Sequence, residues 1–151
     1  MKKILIMLAI YSGLALVLTL VSCSKGDSTV STQTDVQNHV QSGTWQITSF
    51  IDSGKDETSH FQGYSFTFGA NNVLTATNNN GTVTGTWSTV ENNGYYGDAG
   101  TVSMILQFNL TNDFESLSED WLVVSQSSTR IELKHVSGGN GGTDYLTFEK
   151  I

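Results

Sequence analysis

Tyr64-Ser65-Phe66-Thr67-Phe68 places an aromatic ring at every second position, with a small hydroxyl residue between each pair. Successive side chains of an extended strand point to opposite faces, so this stretch reads as a strand with one face buried and one wet. The pattern repeats on both sides. Upstream, Trp45, Ile47, Ser49 and Ile51 share a face against Thr44, Gln46 and Thr48. Downstream, Gly69-Ala70-Asn71-Asn72 turns the chain and Val73 to Thr77 returns. Asn80-Gly81 then marks a tight hairpin into a strand where Val83, Gly85 and Trp87 alternate with Thr82, Thr84 and Thr86. Val102, Met104, Leu106, Phe108 and Leu110 form the longest alternating run, and residues 121–125, 129–136 and 145–150 supply three more strands. Polar, glycine- and asparagine-rich loops separate them, and 111–120 has room for a helical turn.

About eight short strands with brief connections and no long helix predict an all-β fold. An antiparallel up-and-down barrel of eight strands leaves no free sheet edge. The bulky faces point inward: Trp45, Ile47, Tyr64, Phe66, Phe68, Trp87, Met104, Leu106, Phe108, Trp121, Ile131, Leu133, Leu146 and Phe148. The opposite faces carry Thr, Ser, Gln, Asn and charge.

The start of the chain is different. Met1-Lys2-Lys3 is followed by an uncharged stretch from Ile4 to Val21, on the margin between a secretory signal core and a membrane span. Its ending decides between them. Leu20-Val21-Ser22-Cys23 resembles the lipobox of bacterial lipoproteins, and Cys23 is the sole cysteine. The resemblance implies that residues 1–22 are a signal peptide, that the Cys23 thiol carries a diacylglyceryl group, and that the new amine is acylated. Each buried lipid methylene contributes about 0.8 kcal/mol, so two or three chains hold where one does not. Ser24-Lys25-Gly26-Asp27 resembles the export signal behind the lipidated cysteine in lipoproteins of Bacteroidetes-type bacteria, which implies the outer membrane and its external face, with the periplasmic leaflet as the fallback. Residues 23–41 read as a tether, with one helical turn near 35–40 capped by Asp35, and residues 42–151 as the barrel domain.

Removing 1–22 takes Lys2 and Lys3 and leaves five bases against 14 acids, a net charge of −9. That charge argues against nucleic acid as a partner. With Cys23 acylated and no proline, the fold closes on burial and hydrogen bonds alone.

Gly43-Thr44-Trp45, the segment from Phe61 to Phe68, Gly85-Thr86-Trp87 and Leu146-Thr147-Phe148-Glu149-Lys150 together resemble lipocalin-like lipoproteins of Bacteroidetes-type bacteria, over roughly residues 42–151. The resemblance implies a barrel that binds a small apolar molecule. Candidate contacts for such a ligand, or for a glycan fragment, are Trp45, Tyr64, Trp87, Phe108 and Trp121 inside, with Tyr95 and Tyr96 on a glycine-flanked rim loop. Eight strands are also just few enough for side chains to fill the interior, which makes a solid barrel serving as an interaction platform the rival reading.

Other chemistry finds little support in the spacing. Asp52/Asp56/Glu57, Asp113/Glu115 and Glu119/Asp120 do not match a calcium loop and read as solvated surface. His39, His60 and His135 form no metal-spaced pair. The Gly-rich run 137–143 leads into a strand, not the helix that a phosphate loop needs. No nucleophile–base spacing stands out, so the sequence reads as a non-enzyme without a cofactor.

Overall fold

The computed structural model describes residues 31–94, 99–138 and 141–151. A helix α1 (Gln33–Gln41) precedes nine strands: β1 (Thr44–Asp52), β2 (Lys55–Asp56), β3 (Ser65–Phe68), β4 (Val73–Asn78), β5 (Gly81–Glu91), β6 (Val102–Gln107), β7 (Asp120–Gln126), β8 (Arg130–Val136) and β9 (Thr143–Lys150). Every pairing is antiparallel, and β3 to β9 follow in chain order around the sheet. β1 then pairs with β9 from Trp45↔Lys150 to Ile51↔Tyr145, and with β3 at Thr44↔Thr67 and Trp45↔Phe66. The result is a closed eight-stranded meander barrel, with β2 as a short extra strand on the end of β1.

Among the described residues, aromatic rings pack against one another through the interior. Ring centroids step along the barrel from Trp87 to Phe68 (5.6 Å), Phe148 (5.5 Å), Phe66 (5.4 Å) and Phe114 (6.4 Å), mostly edge to face. Phe114 also meets Phe61 at 5.4 Å and Phe108 at 4.8 Å, and Phe50 links Phe61 to Trp121. Such contacts add about 0.5–1.5 kcal/mol per pair beyond the area they bury. Among the described residues, every buried side-chain nitrogen and oxygen has a hydrogen-bond partner.

Both ends of the barrel are closed. At the end where β1 begins, α1 lies across the opening with Val36 and Val40 fully buried. Gln33 and Gln37 fasten it by donating to the backbone carbonyl and hydroxyl of Thr89, at 2.6 and 2.8 Å. At the other end, two 3-10 turns, Thr58–Phe61 and Asp113–Leu117, fold inward and bury Phe61, Phe114 and Leu117. Two of the three tryptophans hold one of these closing segments, and the third holds the β3–β4 turn. The indole N–H of Trp45 donates to Val40 O at 2.8 Å, that of Trp87 to Gly69 O at 3.0 Å, and that of Trp121 to Leu117 O at 3.0 Å.

Four details depart from the sequence reading. Residues 33–41 are not tether but a packed helix, capped by Thr32 in a reciprocal box with Asp35, because Val36 and Val40 sit four apart and share a buried face. A bulge between Ile47 and Ser49 shifts the alternation of β1, so Phe50, not Ser49 and Ile51, continues the inward face. The β4–β5 hairpin turns at Asn79-Asn80, one residue early: Asn78 pairs with Gly81, and its side-chain oxygen accepts from the N–H groups of Asn80 and Gly81. β6 stops at Gln107, which leaves Leu110 exposed.

Gly85 shows how tightly the interior is filled. A Cβ there would stand 2.4 Å from Gln107 O and 2.7 Å from the Phe108 ring, whereas one at Gly138 would meet nothing within 4 Å. Overpacking of this kind costs about 1–3 kcal/mol. Denaturant unfolding should therefore show Gly85→Ala destabilised by about that much, with Gly138→Ala close to the native chain.

Candidate functional site

The residues expected to line a ligand cavity divide into three groups. Trp45, Trp87, Phe108 and Trp121 are buried, none more than 4 % exposed. Tyr64 is half-buried, with its ring 5.2 Å from Phe114 at the edge of the core. Tyr95 and Tyr96, like Cys23, the expected signal segment 1–22 and the expected tether residues 24–30, lie outside the described residues. An apolar guest reaching the four buried rings has to displace other rings and one of the two closures.

The open surface of the molecule is polar and gathers at the end closed by the 3-10 turns. A cleft of about 490 Å3 lies there between the β1–β2 turn, the β6–β7 connector and the start of β9. Asp52, Asp113, Glu115, Glu119 and Asp144 line it, with hydroxyl and amide side chains and no base. In sequence these acids are scattered among separate loops. The up-and-down path brings alternate loops to the same end, which is why the meander collects them. Asp144 gave no sequence signal, since it sits inside the run that reads as the last strand.

Local bonds hold these carboxylates together. Asp144 is only 8 % exposed, and it accepts from the Ser53 N–H at 2.7 Å and the Ser137 hydroxyl at 3.4 Å. It thereby fixes the β1–β2 turn, where Ser53 and Gly54 both take positive φ, against β9. Two histidines stand among the remaining acids. His60 lies between Glu57 at 3.2 Å and Asp113 at 3.4 Å, and so links the two closing turns. His135 on β8 lies 3.6 Å from Glu119 and 3.0 Å from Asp120, and its ring packs at an angle on Trp121, 6.0 Å between centroids. Burial works against protonation of His135. The Asp120 backbone carbonyl and the charges of Glu119, Asp120 and Asp144 outweigh it and raise the pKa above the ordinary value.

A second concave surface runs along the outside of β7–β8–β9, a groove of about 440 Å3 lined by Val124, Glu132, Leu133, Lys134, Tyr145 and Thr147. Val124 and Tyr145 are each at least half exposed there.

No family profile matches the chain, and no curated protein matches it. Among solved structures, the chain is similar to a DUF4847 family protein from Bacteroides vulgatus. The two share 18 % identity at a TM-score of 0.50, over 76 % of this chain and 96 % of the other. At that identity the likeness concerns the fold.

The raised pKa of His135 sets a sign for pH dependence. A group that binds its proton more tightly when folded stabilises the protein fully below its unfolded pKa, about 6.5, and the contribution fades as pH rises through the folded value. The melting temperature of the native chain should therefore exceed that of His135→Gln by more at about pH 5 than at about pH 8. A gap that stays constant or widens with pH would contradict the assignment.

Proposed function

We propose that this chain is a lipid-anchored envelope protein whose barrel is a solid, doubly closed scaffold presenting its acidic end to a partner, with no apolar cargo inside. The observation that carries this reading is the occupation of the interior. Trp87, Phe108 and Trp121 are consumed in ring-to-ring packing, Trp45 is fully buried, and the indole N–H groups that a guest might have used are bonded to backbone carbonyls of α1, the β3–β4 turn and the Asp113–Leu117 turn. Ligand pockets generally need roughly 300 Å3 or more of free space. The acidic cleft and the outer groove of β7–β8–β9, both of that size, lie over a closed end and outside the barrel wall.

Lipidation at Cys23 completes the picture. α1 enters at the end where β1 begins, so an anchor on Cys23 turns that end to the membrane. The eight residues 24–31 reach at most about 28 Å. The cleft then faces away from the lipid, where its five carboxylates escape the repulsion of an anionic surface. Recognition there rests on charge and hydrogen bonding, and a basic partner surface suits it. Attack on a bound substrate is no part of this reading.

Two measurements test it. Titration with an environment-sensitive apolar dye should give no saturable one-to-one binding; saturable binding abolished in Trp45→Ala would restore the container. Labelled palmitate should enter the native chain and not Cys23→Ser, and equal labelling of both would remove the anchor.

A further inference from the structure

The acidic end holds one cluster that the scaffold role leaves unused. Glu119, Asp120 and His135 each offer a ligand atom, all within 4.8 Å of one another. The β6–β7 connector and the start of β7 carry the two acids, and β8 carries the imidazole across the sheet. Spacing alone does not join the Glu119/Asp120 pair to His135, because Asp120 and His135 lie fifteen positions apart.

The geometry settles the roles of the ring nitrogens. Nδ1 lies 3.1 Å from the backbone carbonyl of Asp120. A carbonyl can only accept, so Nδ1 carries the hydrogen. That bond, together with the Trp121 ring against which His135 rests, fixes the imidazole and leaves Nε2 as its free position. Nε2 faces the Glu119 carboxylate at 3.6 Å. A proton on the ring, a bridging water or a metal ion satisfies two lone pairs that confront each other at this distance. Two ligands bound at about 2.0–2.1 Å to a tetrahedral ion stand about 3.4 Å apart, close to the spacing already present.

We propose that Glu119, Asp120 and His135 form a site for a divalent transition-metal ion of the zinc class. His135 Nε2 and a Glu119 oxygen are the first two ligands. The Asp120 carboxylate, 71 % exposed, now lies 3.0 Å from Nδ1, and it supplies the third by turning from there toward Nε2. Water takes the fourth position, as it does at open three-ligand zinc sites. The carbonyl bond on Nδ1 is the outer support that orients a metal-bound imidazole. Asp144, paired in register with His135 across β8–β9, adds negative charge without binding, since Ser53 and Ser137 hold its oxygens. A bound ion would tie β8 to the connector that buries Phe114 and Leu117, and so stiffen the rim of the cleft. His60 lacks this arrangement. Its nitrogens face Glu57 and Asp113, and among the described residues no backbone carbonyl fixes its ring.

The site stands whether or not the barrel admits an apolar guest, and the test reads the metal alone. The full chain in detergent is titrated with Zn2+ by calorimetry, alongside His135→Gln, Glu119→Gln and His60→Gln, with circular dichroism confirming the fold of each. Binding of one equivalent is expected in the native chain and in His60→Gln, weakened at least about tenfold in the other two. Imidazole nitrogen resonances should place the ion on Nε2 of His135. Absence of saturable binding, binding unchanged in both His135→Gln and Glu119→Gln, or binding lost only in His60→Gln would overturn the proposal. Glu119 is 43 % exposed, so Glu119→Gln remains informative even if the His135 variant misfolds.

Discussion

A buried indole N–H has to find an acceptor, and in this barrel two of them find the backbone of a closing segment and the third that of the β3–β4 turn. The ring of each tryptophan occupies interior volume, while its one polar atom fixes α1, the β3–β4 turn or the Asp113–Leu117 turn in place. Filling and closing are thus one act. Without the closing segments, the indoles at 45, 87 and 121 would lose their acceptors. Without the indoles, the carbonyls of Val40, Gly69 and Leu117 would lose theirs.

That coupling explains why an eight-stranded meander is solid here. The strand count and the antiparallel order are those of a container, yet Phe114 comes down from a connector and meets Phe61, Tyr64, Phe66 and Phe108 where a mouth would open. The two concave surfaces lie outside the barrel wall or over its closed end. The polar end gathers acids from loops that lie far apart in sequence, and the outer groove of β7–β8–β9 sets Val124 and Tyr145 beside Glu132 and Lys134.

Period-two alternation carries the fold from sequence alone. Each of the eight barrel strands coincides with a run that reads as a strand, and of the side chains expected inside only Tyr64 is incompletely buried. What alternation cannot reveal lies where the period changes. Val36, Val40, Phe61, Phe114 and Leu117 sit on short helical turns, whose buried faces recur at three or four residues over spans too brief to stand out. Phe50 is hidden by a bulge, which no local residue pattern announces. The acidic end is illegible for another reason: its members meet only through topology, so Asp144 looks like an ordinary strand residue until Ser53 is laid against it.

The joint between β1 and β3 consists of two residue pairs, whereas β1 and β9 share six. A closed sheet yields first along its shortest joint. Trp45 is one of those two pairs and is also the residue whose indole grips Val40 on α1. Tension applied through the chain ahead of α1 therefore arrives at the thinnest stitch of the wall.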